Sequence, residues 1–142
     1  MDKALARKLL GAENYTCVLV RGGQVYSSRE RGILPLVRWV DAGTDLRGYA
    51  AADKVVGKAA ALLYVCLGVG YVFADVLSES GQRILREYGI ENECNTLSTG
   101  IVNRAGTGLC PMEETVKEVS SPKEAVAALR GKLQSMGIYP EN

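Results

Sequence analysis

The chain of 142 residues contains no histidine at all. That absence excludes Ser-His-Asp and Cys-His nucleophilic catalysis, the HExxH metal motif and imidazole acid-base work near neutral pH. Any chemistry must use Cys, Asp, Glu, Lys, Arg, Tyr or the backbone. An excess of positive charge is also missing, since 17 Lys and Arg face 16 Asp and Glu for a formal charge of +1. Nucleic-acid binding through phosphates normally requires such an excess, so it is disfavoured here. The four cysteines stand at 17, 66, 94 and 110, never as CxxC, which argues against a four-cysteine zinc site. Between Met1 and Tyr15 there is no unbroken apolar run of the kind a secretory signal carries, so reduced thiols in the cytoplasm are expected rather than two disulfides. A membrane span is lacking too. The longest uncharged run, Ala59 to Ala74, falls short of the roughly 18 residues a span needs and contains Gly68 and Gly70.

What is present is an ordinary folding composition, 47% hydrophobic and 23% charged, without repeats, low-complexity tracts or linkers. A single domain over residues 1–142 is expected. Residues 3–10 place Ala4, Leu5, Lys8 and Leu9 at helical spacing, with Gly11 as a stop. Tyr15 to Arg21 and Gln24 to Ser28 read as strands joined through Gly22-Gly23, a two-residue hairpin turn. Ile33 to Val40 reads as a helix with Pro35 in its first turn and Gly43 after its end. Ala51 to Leu67 is apolar on every side and predicts a central, surrounded helix. Val69 to Leu77 and Ile90 to Leu97 predict strands with a helix at Ser80 to Tyr88 between them, a βαβ unit with parallel strands. Ser98 to Cys110 predicts a long irregular segment. Pro111 to Val119 predicts a short helix, and Ser121-Pro122-Lys123-Glu124 caps a final helix reaching about Met136.

Three places carry candidate chemistry. Cys110 precedes Pro111 at a predicted helix start, where exposed amides favour a thiolate; Glu113 and Glu114 oppose that charge, and the inert reading of Cys110 as a small buried apolar group stays open beside it. Asp53 is expected to open the Ala51 to Leu67 helix, with Lys54 and Lys58 one turn apart on the same face. Gly57 inside that helix implies close packing or close approach of a ligand. Lys58, flanked by apolar neighbours, calls for an anion or an acidic partner. The third place, Asn103-Arg104-Ala105-Gly106-Thr107-Gly108, groups backbone amides, an amide side chain, a hydroxyl and a guanidinium in a loop suited to phosphate or carboxylate. It is not a P-loop, because GxxxxGK[ST] is absent.

Tyr15 to Val20, Ser27 to Gly32, Ala51 to Ala61 and Asn103 to Glu114 together resemble the uncharacterised family called domain of unknown function 1893. The resemblance covers almost the whole chain. That family is similar to the cytidine deaminase-like fold, and the resemblance implies an α/β, three-layer α-β-α domain with a mixed five-stranded sheet. In deaminases a [His/Cys]-x-Glu motif and a Pro-Cys-x-x-Cys motif open two helices and supply three zinc ligands and a proton-shuttling Glu. Here Cys110 matches the first Cys of the second motif, Glu113 stands in place of the second, and Asp53-Lys54 occupies the region of the first motif without its His/Cys or Glu. The usual zinc site is therefore missing.

These observations lead to the expectation of a deaminase-fold protein that binds a small anionic or nucleotide-like ligand between two helix N-termini, with no metal and no cofactor. Cys110, Lys58 and Glu113 are the catalytic candidates, with Cys110 as nucleophile and Lys58 or Glu113 moving protons. Asp53, Lys54, Asn103, Arg104, Thr107 and Gly108 are the binding candidates. Two alternatives stay open: an enzyme depending on Cys110 or on a non-standard metal held by Asp53, Cys110 and Glu113, and a regulatory or scaffold protein with an inherited pocket. Both an enzyme and a non-enzyme fit these residues, and a homo-oligomer is among the expected partners.

Overall fold

The structure, a computed structural model, describes residues 2–101 and 108–140. The element order is α1 (Asp2–Ala12), β1 (Cys17–Arg21), β2 (Gln24–Ser28), α2 (Leu34–Asp41), β3 (Ala50–Val56), α3 (Lys58–Leu67), β4 (Tyr71–Ser78), α4 (Glu79–Glu87), β5 (Glu91–Ser98), α5 (Pro111–Thr115) and α6 (Pro122–Ser135). The five strands form one mixed sheet in the order β2-β1-β3-β4-β5. β1 pairs antiparallel with both β2 and β3, whereas β3, β4 and β5 run parallel.

The hairpin forms as its sequence dictates, with Gly22 and Gly23 both at positive φ, 51° and 90°, as the mirror-image turn of a right-twisted hairpin demands. The βαβ expectation also holds, since α4 connects the parallel strands β4 and β5. α6 begins at Ser121, whose hydroxyl accepts from the Glu124 amide at 3.4 Å. α5 is shorter than its sequence implies and ends at Thr115, with Cys110 at its N-cap.

The expected helix from Ala51 to Leu67 is corrected. Its first part is the strand β3, and only Lys58–Leu67 is helical. The reason is that the first half of β3 lies in mid-sheet with both faces covered. Ala50 and Ala52 pack beneath α1, Ala51 packs on the opposite side, and all three are buried. A strand buried on two faces loses its polar alternation and becomes hard to tell from a buried helix.

Two apolar layers flank the sheet. α1 lays Ala6 and Leu10 against Val18, Val20, Ala50, Ala52, Tyr71 and Phe73. The larger layer joins Leu19, Ala51, Val72 and Ala74 to α2, α3 and α6, with α3 packed against α2, α4 and α6. α3 is therefore surrounded, as expected, except along Val65 and Cys66. Cys66, inside the apolar run, is exposed. No helix among the described residues is long and apolar enough to cross a membrane.

Candidate functional site

At the C-terminal ends of β3 and β4 the chain turns directly into α3 and α4 through Gly57 and Ser78, both buried. The first amides of any helix have no partner within it. α4 satisfies one of its own, because Ser78 Oγ accepts from Gly81 N at 2.9 Å. α3 has only Gly57 at its N-cap and no side chain there to do the same. The partner comes instead from 55 residues away: Glu113 Oε1 accepts from Lys58 N at 2.8 Å and Glu113 Oε2 from Ala59 N at 2.8 Å. One carboxylate thus spans two successive amides at the positive end of the helix.

Gly57 makes this possible by its size, not by its backbone angles, which are extended (φ −103°, ψ −167°). A Cβ at that position would lie 2.5 Å from Glu113 Cδ and 2.8 Å from its Oε2. Gly81 packs in turn against the Gly57 carbonyl, where a Cβ would come within 3.0 Å of both C and O. The close approach implied by Gly57 in the sequence therefore exists, and the group that approaches is a carboxylate of the chain itself.

α5 carries that carboxylate into place. Cys110 N donates to Ile101 O at 2.9 Å, Glu114 N donates to Cys110 O at 3.1 Å, and buried Met112 anchors the turn. Lys58 Nζ donates to Lys117 O at 3.2 Å, a second tie between the start of α3 and the turn that follows α5. Cys110 is half-buried and packs against the larger core. Gly108 is exposed. Asn103, Arg104 and Thr107 lie outside the described residues.

Asp53 and Lys54 sit elsewhere, since both belong to β3 and alternate across the sheet. Asp53 does not cap a helix. Its carboxyl lies beneath α3, where Tyr64 Oη donates to Oδ2 at 2.7 Å and Val55 N to Oδ1 at 3.3 Å. Cys17 stands directly opposite on β1. Burial without a cation pushes the Asp53 carboxyl up to about 7. The same burial, with the neighbouring carboxylate, pushes the Tyr64 phenol and the Cys17 thiol up from their ordinary values. Lys54 points to the α1 side, beside Arg7 and Leu10, so the expected shared face of Lys54 and Lys58 is corrected. The structure seats Glu113 on the Lys58 and Ala59 amides, with Cys110 at the N-cap of the helix that carries Glu113, and places Asp53 and Lys54 in β3. Gly57's carboxylate partner, Tyr64 and Ser78 escaped the sequence reading. Ser78 had a readable signal, a serine three residues before the first glycine of a helix.

Zinc, which a deaminase-like fold implies, does not fit these residues. Both Glu113 oxygens are engaged by backbone amides, and the Asp53 carboxyl is turned under α3 against Tyr64. No group of three or more Cys, Asp or Glu side chains suited to a metal occurs among the described residues.

With this geometry in view, residues 5–133 match the family model described as a domain of unknown function, DUF1893 (TM1506). The chain belongs to the DUF1893 family. A crystal structure of a DUF1893 family protein, TM1506 from Thermotoga maritima, is similar to it with a TM-score of 0.84 and 25% identity, over 91% of this chain and 88% of that one. Among curated proteins none matches the chain. This DUF1893 chain therefore shares its architecture with a solved relative.

Proposed function

We propose that the protein binds a small anionic ligand, phosphate-bearing or nucleotide-like, at the N-terminus of α3, and that Glu113 is the internal occupant which the ligand displaces. The observation that carries this reading is the bidentate seating of the Glu113 carboxylate on Lys58 N and Ala59 N above the bare Gly57. Two amides, a helix dipole and the absence of a Cβ form a seat for an oxyanion. A dianionic phosphoryl group interacts with it more strongly than a carboxylate does. Lys58 is the neighbouring cation. Released from Lys117 O, its ammonium follows the anion, so Lys58 serves as a binding group. Cys110 shares a turn with Glu113, and exchange at the seat moves the thiol with it.

We read the fold as cytidine deaminase-like without its zinc. The mixed five-stranded sheet flanked by helices supports this, as does the position of the site at the starts of helices over the strand ends. We place the protein in the cytoplasm, where its four free thiols stay reduced. The internal carboxylate lowers apparent affinity, because the ligand binds only the fraction of molecules in which Glu113 has left. Thermal unfolding with inorganic phosphate and nucleoside monophosphates tests the reading. The wild type should be stabilised, and Glu113→Ala should be stabilised more by the same concentration. If no phosphate compound moves the wild type and Glu113→Ala only loses stability, Glu113 is a structural cap and the binding reading fails.

A further inference from the structure

The opposite face of the sheet carries a second cleft, remote from the α3 seat. The strand register pairs Asp53 with Ala74 and Ala74 with Cys94, then Val55 with Val76 and Val76 with Thr96. Between these levels Lys54, Asp75 and Asn95 fall side by side on three adjacent parallel strands. Together with Arg7, Leu10 and Gly11 of α1 and with Phe73, they line a cavity of about 310 Å³. That volume is at the lower end of small-molecule sites.

The lining is organised by charge. The Arg7 guanidinium lies 4.2 Å over the Phe73 ring and 3.7 Å from Glu93 Oε2, which fixes it as one wall. Asn95 Nδ2 donates to Asp75 Oδ1 at 3.0 Å and orients that carboxylate. Among the described residues, Asp75 Oδ2 takes no hydrogen bond and the Lys54 ammonium makes no ion pair. Lys54 and Asp75 are thus exposed register neighbours of opposite charge that, among the described residues, make no ion pair with each other, and the same cleft is lined by Phe73 and Leu10.

We propose that this cleft binds a small monocarboxylate carrying a hydroxyl or ammonium group on the adjacent carbon, that is, a 2-hydroxy or 2-amino acid. The carboxylate of such a molecule pairs with Lys54 beside Arg7, and the neighbouring donor reaches Asp75 Oδ2. A bare inorganic anion satisfies Lys54 but meets repulsion from Asp75, and a simple amine meets the reverse. A ligand presenting both functions a bond or two apart complements the row.

The test is an amide-resolved NMR titration of the wild type, Lys54→Met and Asp75→Asn with L-lactate, L-alanine and propionate. Lys54 and Asp75 are exposed, so both variants should fold, and their spectra report whether they do. Lactate or alanine should shift the amides of Leu10, Gly11, Lys54, Phe73, Asp75 and Asn95 saturably, and propionate, lacking the donor, should bind about tenfold more weakly. Lys54→Met should weaken all three acids about tenfold. Asp75→Asn should abolish the advantage of lactate and alanine over propionate. The proposal is overturned if no acid shifts these amides saturably, if Lys54→Met binds as well as wild type, or if Asp75→Asn keeps the selectivity. Glu113→Ala leaves this titration unchanged, so the outcome is independent of the phosphate reading at α3.

Discussion

Substituting Gly57 by Ala should unseat Glu113 without straining the backbone. Gly57 has φ −103°, which any residue adopts, and the three atoms nearest to an added Cβ all belong to the Glu113 carboxyl group. The methyl therefore acts first on the Glu113 seat. What is lost is a pair of hydrogen bonds to a charged acceptor, Lys58 N and Ala59 N to Glu113, each contributing about 1.5–3 kcal/mol. Water reaching the freed amides recovers part of this, and the smaller unfolded-state entropy of Ala returns about 0.4–1 kcal/mol. The net cost should be about 2–4 kcal/mol. In a Glu113→Ala background the three atoms nearest to the methyl are gone, and Gly57→Ala should become neutral or slightly stabilising. The double-mutant cycle, measured by urea unfolding with unchanged m-values, should thus show a coupling of about 2–4 kcal/mol, far above the roughly 0.5 kcal/mol seen between independent sites. Additive losses would refute the reasoning and place the cost of Gly57→Ala somewhere other than in the Glu113 seat.

Other outcomes follow from the same contacts. Asp53 has its carboxyl pushed up to about 7 by burial, above the value of about 3.9 for an unfolded chain. The fold therefore favours the neutral acid, so a penalty absent below about pH 4 grows as pH rises and is complete above about pH 7. Asp53→Asn should gain stability over wild type on going from pH 5 to pH 8, by an amount on the order of 2 kcal/mol; parallel pH profiles from urea unfolding would contradict it. Tyr64→Phe removes the hydroxyl that donates to Asp53 at 2.7 Å and should cost about 1–3 kcal/mol in the same assay, with no loss if the pair is unimportant. Cys17, buried and with its thiol pushed up, should resist native alkylation while exposed Cys66 is labelled, as peptide mapping would show; early labelling of Cys17 would mean that β1 opens.

How far the fold can be read from the sequence depends on where each signal resides. Gly22-Gly23, Ser121 with Glu124, and the βαβ run act through neighbours a few residues away, and they formed as expected. β3 was hidden because its first three residues, Ala50 to Ala52, are buried on both faces of the sheet, which erased the alternation that marks a strand. That single misreading turned Asp53 into a helix cap and put Lys54 and Lys58 on one face, when a strand sends Asp53 and Lys54 to opposite sides. That Glu113 stands in the first turn of a helix opened by Pro111 was legible from the local sequence. The seating of Glu113 was not, because it depends on a contact 55 residues distant and on a missing Cβ. Tyr64 looked like one more apolar member of a buried helix, and only the sheet register brings it over Asp53 and Cys17.

The central claim is that the α3 N-terminus exchanges its internal carboxylate for a ligand anion. The most direct measurement follows the backbone amide resonances of Lys58 and Ala59 in the wild type during titration with inorganic phosphate and a nucleoside monophosphate. The account predicts saturable shifts at both amides, at lower concentration in Glu113→Ala, together with changes along residues 110–117 as α5 is released. Amides of Lys58 and Ala59 that stay unmoved in the wild type up to about 100 mM, a range that reaches affinities weaker than −4.1 kcal/mol, would contradict it.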